Sequence, residues 1–137
     1  MVSKFILSEF KDYKPFYPDI KSGKVVKVYD TDTITVIAPL AGETWRFPVR
    51  LAGIDAPELR SKVEREAKLA RAGRAYLAEC ILGTDVDLEV LKQDKYGRLL
   101  ANVSKSGVNY SNLMIASGFA RTYDGGHKDS WDAFFET

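Results

Sequence analysis

The chain has 137 residues, a net charge of +1, a hydrophobic fraction of 45% and a charged fraction of 28%. This length suits one domain with one core, the composition is that of a globular chain, and near-neutrality means that any polyanion has to be met by locally placed cations rather than by bulk charge. The single cysteine, Cys80, excludes an internal disulfide and a thiolate zinc site, and a single histidine, His127, argues against a histidine metal cluster.

Residues 1–22 carry lysines, aromatics and two prolines without a clear period and read as an extension, with a short strand or turn expected around Phe5–Glu9. Their lysines suit either a phosphate backbone or plain solvation. Only Phe5-Ile6-Leu7 interrupts the charges there, which is no secretory signal, and no later run is long enough to span a bilayer. An intracellular location without a membrane partner is the expectation, unless a leader was removed.

The domain proper is expected over residues 23–137. Lys24–Tyr29 alternates with Val26 and Val28 inward, and Thr33–Ile37 alternates with Ile34 and Val36 inward. Asp30-Thr31-Asp32 joins the two as a tight turn. Pro39–Glu43 reads as the next turn, leading into a third strand, Thr44–Leu51, with Phe47, Val49 and Leu51 on the apolar face and Arg50 on the other.

Gly53 loosens that strand and Pro57 ends regular pairing. Ser61-Lys62-Val63-Glu64 has the form of a capping box, so a helix is expected from there, burying Val63, Ala67, Ala70, Leu77 and Ile81 and stopping at Gly83. Its remaining faces are rich in lysine and arginine, a pattern that suits a solvated helix or a side leaning toward a polyanion.

Asp85–Leu91 and Leu99–Val103 complete five strands, separated by the turn Asp94-Lys95-Tyr96-Gly97. Asn109–Ser117 reads as a short helix ended by Gly118, Phe119–Tyr123 as extended, and Ser130–Phe135 as a last helical turn. Five strands with a helix between the third and fourth give the order of an OB-fold Greek-key barrel, so the expected class is mainly β with α (α+β), closed by helices.

Three separated stretches carry chemistry: Asp30 and Asp32 in the first turn; Arg50, Asp55 and Glu58 around the third strand end; Lys95, Tyr96 and Arg98 in the late turn. A guanidinium matches a phosphate in a fork. One carboxylate can hold a hard cation and another can take a proton from water. Brought together at one end of a barrel, these groups suit metal-assisted attack on a phosphodiester. The plainer alternative is a surface ion pair between Arg50 and Asp55, with Glu58 capping the next helix.

The motifs DTDT, VRLAGIDAPE and DKYGRLLANV, in that order and with a helix between the last two, resemble the staphylococcal nuclease (thermonuclease) family over Gly23 to Tyr123. The resemblance implies a Ca²⁺-dependent nuclease that cleaves DNA or RNA at the 5′-oxygen and leaves 3′-phosphates. It puts Ca²⁺ at the side chains of Asp32 and Asp55 and the carbonyl of Ala56, phosphate at Arg50 and Arg98, and the general base at Glu58. It sets Lys95 and Tyr96 near a terminal phosphate and Tyr123 near base-stacking positions. Both metal acids are expected to face solvent, and a monomer is expected.

Two departures stand out: Thr31 replaces the family's usual glycine, which suggests a reshaped turn because a β-branched residue resists positive φ, and Ala56 lacks a threonine's hydroxyl. The competing functions are a non-catalytic OB module that binds single-stranded nucleic acid through a basic groove and aromatics, and a structural domain whose charges are all solvated pairs.

Overall fold

The computed structural model describes residues 11–136, so the turn expected around Phe5–Glu9 lies outside the described residues. Period-two apolar runs make the long strands β1 (Ser22–Val28), β2 (Thr33–Leu40), β3 (Glu43–Leu51), β5 (Asp85–Gln93) and β6 (Leu99–Lys105). Short strands β4 (Ile54–Asp55), β7 (Val108–Asn109) and β8 (Arg121–Thr122) bracket helices α1 (Glu64–Ile81) and α2 (Tyr110–Ala116), and α3 (Asp132–Phe135) follows.

The strands run β3-β2-β1-β5-β6, with β7 at the end, and a parallel pairing of β3 with β6 (Val49↔Leu99, Leu51↔Ala101) closes the ring. Among the described residues the result is a closed five-stranded mixed barrel with three helices, as the OB order anticipated. Inside it, Val25, Ile34, Val36, Val49, Leu51, Leu99 and Val103 are fully buried, with Leu77 and Ile81 of α1 and Met114 of α2 closing the core. Ile20 joins that core and Tyr17 packs against it, which ties down the chain entering β1.

Two expectations need correction. In β1 the pairing shifts between Val25 and Lys27, so Val25 is buried and Val26 is 43% exposed. A bulge moves the inward phase back by one residue, which simple alternation misses. At α1, Ser61 does not close a capping box. Its hydroxyl accepts from the N–H of Val63 at 3.2 Å, Val63 itself is the helix N-cap without a side-chain bond, and Val63 is exposed. The helix therefore begins at Glu64 and buries Ala67, Ala70, Gly73, Leu77 and Ile81.

Thr31 is where the fold departs from its expected turn. Among the described non-glycine residues only Ala41 and Ser106 have positive φ, so Thr31 takes an ordinary backbone conformation. It is fully buried, and its hydroxyl donates to the Ala70 carbonyl of α1 at 3.2 Å. The helix makes room with Gly73, where an added Cβ would lie 2.6 Å from Thr31 Oγ1. The turn that carries Asp32 is thus docked on α1 rather than free.

Candidate active site

The segment after β3 is held from three sides. The Leu51 N–H donates to the Asp32 carbonyl at 2.8 Å, the Ala52 N–H to Ala101 at 2.9 Å, and the Ser111 hydroxyl to the Ala52 carbonyl at 2.6 Å. Gly53 turns the chain at φ 82, a left-handed conformation that a side chain would strain, and its carbonyl accepts from the Tyr123 N–H at 2.9 Å. Strand β4 then pairs with β8, setting Asp55 directly opposite Arg121.

Arg50 reaches across this turn. One guanidinium nitrogen donates to the carbonyls of Leu51 (3.1 Å) and Ile54 (3.0 Å), and the other lies 3.5 Å from Asp32 Oδ2. Arg98 is anchored at the neighbouring turn. Its Nε donates to Asp94 at 2.7 Å, and Asp94 also accepts the N–H groups of Tyr96 and Arg98 at 2.9 Å each. Burial works against ionisation of Asp94, but the Arg98 side chain and the backbone donors outweigh it, and its carboxyl lies below the usual range.

Arg50 and Arg98 line one open cavity of about 460 Å³, together with Gly53, Lys92, Tyr123 and Lys128. Asp55, Ala56 and Glu58 line a second one, of about 190 Å³, with Arg121 and Trp131, and Lys128 belongs to both walls. Glu58 is exposed, and its carbonyl accepts from the N–H of Ser61. Lys95 and Tyr96 sit out on the turn, where Lys95 and Arg98 lie 5.2 and 5.7 Å from the Tyr96 ring.

The two acids do not face solvent as expected. Asp32 has a side chain 13% exposed, and Asp55 is 4% exposed overall. The surface pair suggested for Arg50 and Asp55 is absent from the described contacts: Arg50 meets Asp32, while Asp55 meets Arg121 (3.0 Å) and Lys128 (3.1 Å), one on each carboxylate oxygen. Burial, then the charge of Asp30 and a hydrogen bond with it, push the Asp32 carboxyl up to about 7 against the pull of Arg50 and Thr33.

No cluster of three or more His, Cys, Asp and Glu suited to a metal ion is found among the described residues. A hard cation suits the turn with Asp30 and Asp32, where two like charges crowd and one is held back from ionising. At Asp55 both oxygens already have cationic partners. The donors therefore suit a cation at the Asp32 end, where the Arg50 contact is long at 3.5 Å, and Asp55 can join only once Lys128 lets go; that lysine side chain is 50% exposed and its Nζ lies 5.1 Å from the Tyr123 ring.

Arg121 and Lys128 had no signal in the sequence, since each meets Asp55 only through the fold. Arg121 also donates to the carbonyls of Asp129 (2.6 Å) and Ser130 (3.2 Å), and its guanidinium lies 3.9 Å from the Trp131 ring. It binds the 128–131 stretch to the site.

The chain is thus a closed OB-type barrel with two arginines, and Asp94 beside them, on one open cavity. The family model for "Staphylococcal nuclease homologue" matches residues 48–134, and the chain belongs to that family. It is 31% identical over 125 residues to an uncharacterized protein of Methanocaldococcus jannaschii, covering 74% of this chain and 58% of the relative. It is 30% identical over 103 residues to an uncharacterized endonuclease of Escherichia coli O157:H7 (74% and 61%) and 28% identical over 131 residues to a probable endonuclease of Schizophyllum commune (74% and 44%). The chain thus spans roughly half of the length of these relatives.

Proposed function

We propose that the chain is a Ca²⁺-dependent nuclease that hydrolyses phosphodiester bonds of DNA or RNA, breaking the bond from phosphorus to the 5′-oxygen and leaving 3′-phosphates. The observation that carries this reading is the pair Arg50 and Arg98 on one open cavity. Two relatives named as endonucleases support it.

In this reading Arg50 and Arg98 grip the non-bridging oxygens and stabilise the charge that builds on a five-coordinate phosphorus. Glu58 accepts a proton from the attacking water as its oxygen bonds to phosphorus. The 5′-oxygen departs with the bonding pair and is protonated by solvent. Asp32, Asp55 and the carbonyl of Ala56 would hold Ca²⁺, which when bound supplies positive charge next to the phosphate. Lys95 and Tyr96 hold a terminal phosphate, and Tyr123 offers its ring to a base.

The second reading, a binding module without catalysis, is favoured by one feature: Asp55 is neutralised by Arg121 and Lys128. One assay separates the two. Single-stranded DNA incubated with the chain in Ca²⁺ is expected to be cut to 3′-phosphate ends, and EDTA is expected to stop cutting. Binding that survives EDTA, with no cutting in Ca²⁺, would replace the nuclease by the binding module.

A further inference from the structure

We propose that the cleft beside residues 14–17 is an additional nucleotide subsite, extending the arginine cavity along a single-stranded nucleic acid. The inference rests on the reading above for where the phosphate lies. The cleft measures about 400 Å³ and is lined by Lys14, Phe16 and Tyr17 on one side and by Lys92, Gln93 and Asp94 on the other. Lys92 and Asp94 also line the cavity of Arg50 and Arg98, so the two hollows share a wall.

The two sides are unlike in a useful way. Tyr17 packs on the core and Ile20 is buried within it, so the segment is pinned to the barrel at one end. Phe16, next to that anchor, is 84% exposed. A phenylalanine so open gains nothing for the fold, whereas a flat apolar ring beside a cationic groove is what successive bases stack on.

Charge points the same way. Lys14 and Lys92 are exposed on the cleft, while Asp94, the acid in its lining, is already paired with Arg98 at 2.7 Å. The lining thus sets two lysines against one paired carboxylate, which suits a phosphate backbone leaving the arginines. A basic, aromatic trough continuous with a phosphate clamp fits a single strand, whose bases are free to splay, better than a stacked duplex.

Fluorescence anisotropy tests this on the full chain in EDTA, so that nothing is cut, with a labelled thymidine dinucleotide and a thymidine octanucleotide. The wild type is expected to bind the octanucleotide more tightly. Phe16→Ala is expected to weaken octanucleotide binding about tenfold, the effect of one lost base stack, and to leave both dinucleotide affinity and melting temperature unchanged. Lys14→Ala is expected to lower the salt slope of octanucleotide binding by about 0.7, one phosphate contact on a single strand.

Equal affinity of the wild type for both lengths would overturn the subsite. So would unchanged octanucleotide binding in Phe16→Ala, or equal weakening for both lengths. Cleavage by the wild type in Ca²⁺ is read separately: length-dependent binding without cleavage sinks the nuclease and keeps the subsite, and cleavage without a Phe16 effect does the reverse.

Discussion

Asp32 is a partly buried carboxylate between a like charge and a guanidinium, and its proton is the consequence. Its carboxyl ionises at 3.8 in an ordinary setting and at about 7 here. Between those values the folded chain holds a proton that the unfolded chain has released, so stability falls as pH rises across the window. Below it both states are protonated and the contribution is fully present; above about 7 it is gone. In EDTA, melting temperature should therefore decline over this range in the wild type and be flatter in Asp32→Asn, which cannot titrate; superimposable profiles would refute the assignment. Glu58 differs, being exposed and six residues ahead of Glu64, where α1 starts. Glu58→Gln should melt like the wild type, bind substrate, and lose about 10²–10⁴ in kcat, the scale of a positioned base. Cleavage at full rate would leave Glu58 without a chemical role.

At the scale of elements, the docking of the Asp32 turn on α1 makes a helix glycine necessary. In an open helix Gly→Ala gains up to about 1 kcal/mol. At Gly73 the new Cβ would lie 2.6 Å from Thr31 Oγ1, 2.9 Å from Thr31 Cγ2 and 3.2 Å from Phe119 Cβ. Overpacking of this kind costs about 1–3 kcal/mol, so Gly73→Ala should be destabilised in urea by about 1 kcal/mol, and Thr31→Ala in the same chain should restore most of the loss. A stabilised Gly73→Ala would mean that the turn yields easily.

The elements also mark what the residue pattern carries. Ile34, Val36, Val86, Leu88 and Val90 followed strict alternation and all lie inward, because the irregularity in β5 comes only after Val90 and the strand keeps its period up to there. Val26 did not, because one extra residue resets the phase, and Ser61 did not cap because the chain was still turning at Val63. Gly73 gave no sign of its role, since its partner Thr31 is remote in sequence.

Over the whole molecule, closure of the barrel assembles the site. The parallel pairing of β3 and β6 sets Arg50 beside Leu100, two residues beyond Arg98, so guanidiniums from separate stretches come to one cavity. The motifs named both arginines in advance, but not what surrounds the acids. The partners of Asp55 arrive from β8 and the following loop, Arg121 from 66 residues away, and no local pattern reports such a contact. Pairing with Arg121 and Lys128 also explains how a carboxylate expected in solvent can be buried.

The most direct measurement is single-turnover cleavage of single-stranded DNA in Ca²⁺ by the wild type, Arg50→Lys and Arg98→Lys, with melting recorded alongside. Lysine keeps the charge and loses the planar fork. The expected result is a wild type that cuts, and variants that remain folded yet cut about 10²–10³ more slowly, the loss for one transition-state donor. A wild type that does not cut, or two variants that cut at its rate, would contradict the assignment of the cavity as the place where phosphodiesters are broken.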